Sequence, residues 1–139
     1  MTNEQVIRSF FETVRSGKDP DQAPHYMANE VLAHQINGEN RVTVHRTPQN
    51  YADHVREMID AFGTFQLTVE EVISQDPKVY VRWQQRGTHI GEYEGYAPTG
   101  KEIIELASAV YRLEECKIVE YWIQIDRLGI LEQLKRNQM

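Results

Sequence analysis

Three residues near the end of the chain have types and a spacing suited to chemistry. In the run KIVEYWIQID, residues 117–126, Trp122, Gln124 and Asp126 alternate with Val119, Tyr121, Ile123 and Ile125. Alternate side chains of a strand share a face. One face therefore carries a ring, an amide and a carboxylate, and the other is apolar. A carboxylate buried beside a ring has its pKa raised and can take a proton from an acidic carbon and return it to a developing alkoxide. Asp126 is the candidate acid/base on this pattern. Gln124 is a candidate substrate contact, because a buried amide needs partners, and Trp122 is candidate pocket wall. Asp at a strand-to-helix junction is also a favoured N-cap, so both roles stay open for Asp126. His89, late in a long strand, is a candidate for ligand contact or gating; its alternative is a structural bond to a loop carbonyl. His34 shares a strand face with Leu32 and Ile36. It is a candidate polar substrate contact or a satisfied core imidazole.

Other chemistries are disfavoured by what the chain lacks. His25, His34, His45, His54 and His89 never fall as H-x-H or H-x-x-x-H, and Cys116 is the lone cysteine. No metal site is expected from such a set. There is no G-x-S-x-G elbow and no glycine-rich phosphate loop, and no cofactor is expected. A net charge of −6 without a Lys/Arg cluster argues against a nucleic-acid partner. One cysteine fits a reducing, cytoplasmic setting. Neither a signal-peptide pattern nor an apolar run of about 20 residues is present, so no membrane association is expected. What is left is acid/base chemistry, or plain binding, on a hydrophobic small molecule in an apolar pocket.

The elements that must position these residues can be read in order. T-x-x-Q at Thr2–Gln5 is a capping box, and Ile7, Phe10, Phe11 and Val14 follow at helical spacing until Ser16-Gly17. A short second helix is predicted over 22–27, a strand over 30–36, and a hairpin arm over 41–45 after the Asn37-Gly38 turn. Thr47-Pro48 opens a third helix. Its stripe of Tyr51, Val55, Met58, Ile59 and Phe62 is core, with Tyr51, Met58 and Phe62 as candidate pocket lining. Strands are predicted over 65–74, 79–93 and 101–113, then the strand ending at Asp126. A short amphipathic helix carries Leu128, Ile130, Leu131 and Leu134. Helices first and an antiparallel meander second is an α+β pattern, expected as a single domain over 1–139. A strongly curved sheet wrapped around three helices would enclose a cone.

Several motifs carry a resemblance: Gly87-Thr88-His89-Ile90-Gly91, Ala97-Pro98-Thr99-Gly100, Ile118-Val119-Glu120-Tyr121-Trp122, and Asp126-Arg127-Leu128-Gly129 followed by Gln133-Leu134. In order and spacing the chain resembles the SnoaL-like polyketide cyclases, or ester cyclase family, of the NTF2-like superfamily, from the first helix to Leu134. That resemblance implies an NTF2-like cone and homo-oligomers, here expected as a homodimer through the face of Tyr121, Ile123 and Ile125. It also implies cofactor-free intramolecular aldol closure of aromatic polyketide methyl esters. Asp126 matches the family's proposed acid/base, His34 a first-strand histidine pointing into the cone, and His89 the strand end beside a loop over its mouth. The chain departs from the pattern at Ala97, where the family has proline, and at Glu115-Cys116, where it has Asp-Gly. The family's polar Gln/His pair on the neighbouring strand falls near Val110 and Arg112. Ketosteroid-isomerase-like proton transfer and a non-catalytic binding domain are the alternatives.

Overall fold

A computed structural model describes all 139 residues. Helix α1 (Asn3–Phe10) starts as the capping box requires: Gln5 N–H donates to Thr2 Oγ1 at 3.1 Å, and Thr2 N–H to Gln5 Oε1 at 2.9 Å. It continues through a π turn, Phe11–Arg15. The wider turn brings the neighbours Val14 and Arg15 both to the buried side. A 3-10 turn (Pro20–His25) leads into β1 (Met27–Gln35) and β2 (Val42–Arg46). Helix α2 (Pro48–Phe62) has Thr47 as N-cap and Pro48 in its first turn, as the sequence predicts. The strands β3 (Gln66–Gln75), β4 (Lys78–Thr88), β5 (Glu102–Glu114) and β6 (Lys117–Ile125) follow, and α3 (Arg127–Asn137) ends the chain.

One curved, open sheet has the order β2-β1-β6-β5-β4-β3. The meander β3 to β6 is antiparallel, whereas β1 lies parallel to β6. Its inner face carries Val79, Val81, Trp83 and Gln85 on β4, and Ile103, Ala107, Ala109 and Tyr111 on β5, all buried. The apolar side of α1 and its π turn packs there through edge and tilted aromatic contacts, such as Phe11 with Trp83 at 5.0 Å between ring centres and Phe10 with Tyr111 at 6.0 Å. Truncating one such ring to alanine costs about 3–5 kcal/mol, which is why the helices fix the sheet's curvature.

The faces of β6 are the reverse of expectation. Tyr121, Ile123 and Ile125 point into the cone, beside Tyr111 and the other inner groups. Trp122 and Gln124 point outward. Alternation divides a strand into two faces without saying which is concave, and the helices cover the face with more apolar area to bury. The expected homodimer face of Tyr121, Ile123 and Ile125 is therefore interior. Val110 lies opposite Trp122 and Arg112 opposite Glu120, after a bulge next to Leu113, so the two slots of the family's polar pair are on the outward side.

Strand β4 ends at Thr88, short of the predicted residue 93. There the chain leaves the sheet and folds onto the end of α2, with the N–H groups of Ile90 and Gly91 both donating to Ala61 C=O. Gly91 is required at this point, since a Cβ would collide with Asp60 C=O. The segment then crosses the cone's mouth, and Tyr93 rests on Phe62 at 4.8 Å between ring centres.

Candidate functional site

Between α2, the inner sheet face and residues 92–94 lies a cavity of about 340 Å³. Met58, Phe62, Ile103, Ile123, Ile125 and Ile130 supply its apolar wall. A wider cavity of about 660 Å³ continues it toward α3 and residues 36–39, and the two share Glu105, Ile123 and Ile125. The first is a chamber and the second its vestibule.

The chamber floor holds a buried polar network. Register places Gln85 directly across from Glu105, and Arg15 bridges them from the π turn. Its Nη1 donates to Gln85 Oε1 at 2.7 Å and its Nη2 to Glu105 Oε2 at 3.1 Å. The side chains of Arg15 and Glu105 are 5% and 12% exposed. The guanidinium also lies over Trp83, 5.6 Å from the ring centre, a favourable placement for a cation. Glu105 Oε2 is thus held, while Oε1 makes no hydrogen bond. One carboxylate oxygen is anchored and the other is without a partner, in a residue that lines both cavities.

Tyr51, Tyr111, Tyr121, His54 and Arg46 form the polar part of the chamber wall. Burial pushes the Tyr51 phenol up, against the nearby Arg15 charge, and pushes Tyr111 well above its ordinary value. Burial also raises Tyr121, against the Arg46 charge and a hydrogen bond from that guanidinium. These hydroxyls stay protonated near neutral pH and can donate hydrogen bonds. His54 is lowered to about 4, by burial first and then by the Arg46 and Arg15 charges. Its imidazole is neutral at pH 7.

Of the residues singled out from sequence, Tyr51, Met58 and Phe62 line the chamber. Asp126 sits on the vestibule wall, exposed, as N-cap of α3: Gly129 N–H donates to its Oδ1 at 3.0 Å. The spacing D-x-x-G has a packing reason here, because a Cβ on Gly129 would collide with that carboxylate. The later glutamine of the same motif has one too. Strand β5 begins before β6 can pair with it, and Gln133 supplies the missing partner. It accepts from Ile104 N–H and donates to Ile104 C=O, both at 2.8 Å. This terminal motif fastens α3 to the sheet.

The remaining candidates lie outside the cavities. His34 faces outward, its Nε2 2.6 Å from Glu120 Oε2 and its Nδ1 2.9 Å from Thr43 Oγ1. Trp122 stacks on that imidazole with 5.3 Å between ring centres, and Lys78 lies over the indole. Hydrogen bonds from His34 and from Arg112 hold the Glu120 carboxyl below its usual range. Gln124 is exposed, opposite Ser108. His34, Trp122 and Gln124 are therefore corrected from pocket to outer-face residues: the last two by the reversal of β6, and His34 because Val31 and Ala33 take the buried face of β1. His89 is fully buried behind Phe62, with both ring nitrogens unpartnered, and touches neither cavity. No three His, Cys, Asp or Glu side chains gather in a metal-binding cluster.

Arg15, Gln85, Glu105, Arg46 and His54 were not singled out by sequence. A signal existed for the first three: each is polar in an apolar phase. Glu105 stands between Ile103 and Ala107 on the inner face, Gln85 two residues after Trp83, and Arg15 beside Val14.

The family model for SnoaL-like polyketide cyclase matches residues 5–134, and the chain belongs to that family. Solved structures share its NTF2-like fold. A provisionally assigned polyketide cyclase from Acidithiobacillus ferrooxidans superposes with a TM-score of 0.84 at 21% identity, covering 97% of this chain and 95% of that one. IdmH from Streptomyces antibioticus, also provisionally assigned as a polyketide cyclase, gives 0.80 at 23% identity, with 97% and 99% covered. AclR from Streptomyces galilaeus, provisionally assigned as a hydroxylase, gives 0.80 at 19%, with 96% and 81% covered. At these identities the likeness establishes fold alone. No curated protein matches the sequence, and no helix is long and apolar enough to cross a membrane.

Proposed function

We propose that the protein binds a hydrophobic, oxygenated small molecule in the chamber and moves a proton on a carbon next to its carbonyl, without a cofactor, as an aldol-type cyclisation requires. The observation that carries this is Glu105, a carboxylate at the junction of both cavities with one oxygen fixed by Arg15 and the other free. The free oxygen takes the carbon proton. Tyr51 and Tyr111, kept protonated by burial, donate to the oxygen on which negative charge develops, and neutral His54 lies on the same wall. Such donors, fixed before reaction, stabilise an enolate far better than mobile water.

Glu105 is preferred to Asp126 as the base. Asp126 is exposed and its Oδ1 is committed to the cap, whereas Glu105 faces the chamber. His89 and His34 have no place in the step, being outside the cavities. A homodimer is also proposed, now through the outward face bearing Leu106 and Trp122. Light scattering at twice the 16.3 kDa chain mass checks that.

The test is hydrogen–deuterium exchange at C2 of 1-tetralone in D2O, followed by NMR. This ketone has an apolar body, one carbonyl and slowly exchanging neighbouring protons. Exchange accelerated by stoichiometric protein supports the proposal. Tetralone bound without acceleration leaves a binding domain, and neither binding nor acceleration removes the proposal altogether.

A further inference from the structure

The chamber contains a positive charge that no carboxylate of the protein pairs with. Every arginine but Arg41, Arg46 and Arg136 has a carboxylate oxygen within 4.0 Å, and Arg41 and Arg136 are exposed. Arg46 is half-buried. It ends β2 opposite Val31, whose side chain is 1% exposed on the inner face, and it lines the chamber. Its Nε is buried with no hydrogen-bond acceptor. The buried Oδ1 of Asn50 is unpartnered too, so the two are not satisfied by each other. The terminal nitrogens Nη1 and Nη2 are not among the buried, unpartnered atoms, and it is there, on the half-buried guanidinium, that an occupant can supply an acceptor.

We infer that the chamber's natural ligand is a free carboxylic acid in its anionic form, with an apolar oxygenated body, whose carboxylate docks on Arg46. The inference rests on the chamber being the binding site proposed above. A carboxylate matches the planar guanidinium fork in two parallel hydrogen bonds. A phosphate would call for further donors, and the chamber's other arginine, Arg15, is already neutralised by Glu105. The inner polar set of Arg15, Glu105 and Arg46 therefore has one uncompensated positive charge. The depressed pKa of His54, to which Arg46 contributes after burial, is consistent with a positive potential there. Three carboxylates also border the chamber, Glu57, Glu92 and Glu94. All are at its rim, with Glu57 78% exposed, where solvent and salt screen them. The rim favours an acid over a dianion, and the interior favours an acid over its neutral ester. With the carboxylate on Arg46, the body of the ligand occupies the chamber that Ile123, Ile125 and Glu105 also line.

The test compares 2-naphthoic acid with methyl 2-naphthoate, by calorimetric or fluorescence titration at pH 7.5. Wild-type protein is expected to bind the acid at least about tenfold more tightly than the ester, the range of a charge-assisted hydrogen bond. Arg46→Gln should erase the preference, Arg46→Lys should keep part of it, and Arg41→Gln, on the exposed surface, should behave as wild type. Thermal melting of each variant reports that it is folded. Equal binding of acid and ester by wild type overturns the inference while leaving the chamber as a binding site. So does a preference that survives Arg46→Gln. If neither probe binds, the inference falls together with the chamber itself.

Discussion

Two networks of similar ingredients lie on opposite faces of the sheet, one near the start of β5 and the other near its end. On the inner side Arg15 joins Gln85 and Glu105 at 2.7 and 3.1 Å. On the outer side Glu120 joins His34 and Arg112 at 2.6 and 3.0 Å. Both draw on β5 or β6, and both pair a carboxylate with a cation or imidazole. They differ in what is left over. Outside, both oxygens of Glu120 are engaged, His34 uses both ring nitrogens, and Trp122 is stacked and capped by Lys78. Inside, Glu105 keeps one oxygen without a hydrogen bond, Arg46 has no carboxylate partner and an unpartnered Nε, and the phenols around them line a cavity. A satisfied network holds structure, whereas unsatisfied groups around an empty volume call for an occupant.

The comparison breaks most sharply under Glu105→Gln. Loss of a general base costs about 10²- to 10⁴-fold in rate, read as tetralone exchange, and the outer-face change Glu120→Gln is expected to leave that rate unaltered. Next comes Arg15→Met. Removing one partner of a buried ion pair strands the other, at a cost of about 3–5 kcal/mol, so urea unfolding should show a large fall in stability. His34→Ala should cost only about 0–1 kcal/mol in the same assay, because its ion pair is partly solvated. If Arg15→Met and His34→Ala cost the same, the two networks do not differ in the way described.

A smaller effect concerns pH. The folded-state pKa of His54, about 4, lies below the 6.5 of an unperturbed histidine. Between those values the unfolded chain binds more protons than the folded one, so stability falls as pH drops from about 6.5 toward 4 and is unaffected above 6.5. The side chain is 42% exposed, and solvent holds this loss to about 1 kcal/mol or less. Urea midpoints for wild type and His54→Gln between pH 8 and pH 4 should diverge in that window, with the variant less sensitive. Curves parallel throughout would contradict a depressed His54.

Much of the fold was legible because its signals are local. The Thr2 and Gln5 capping box, Thr47-Pro48 before α2, and the apolar stripe of Tyr51, Val55 and Phe62 are settled within a turn or two of helix. The β5–β6 register is less local: the tight turn sets Leu113 against Ile118, and a bulge then shifts the pairing by one so that Val110 meets Trp122. The site was less legible for a physical reason. Which side of β6 is concave depends on the helices that pack against it and on β1 joining in parallel, and neither is written in the alternation of β6. Alternation alone therefore puts Trp122, Gln124 and His34 inside, whereas the structure has them on the outer face. Asp126 matched a family position, and its geometry gives the motif a structural basis through Gly129 and Gln133. Glu105 left the only kind of trace available in one sequence, a charge in the inward phase of a buried strand. That trace gains meaning once Arg15, from 90 residues away, is seen to meet it.

The central claim is that chemistry belongs to Glu105 in the chamber and not to Asp126 at the vestibule. The most direct test is the rate of tetralone C2 exchange with Glu105→Gln and Asp126→Asn measured side by side. Asn caps a helix about as well as Asp, so Asp126→Asn removes the carboxylate while sparing α3. The account predicts a rate near wild type for Asp126→Asn and near the uncatalysed background for Glu105→Gln. The opposite pattern, with activity lost in Asp126→Asn and kept in Glu105→Gln, would contradict it.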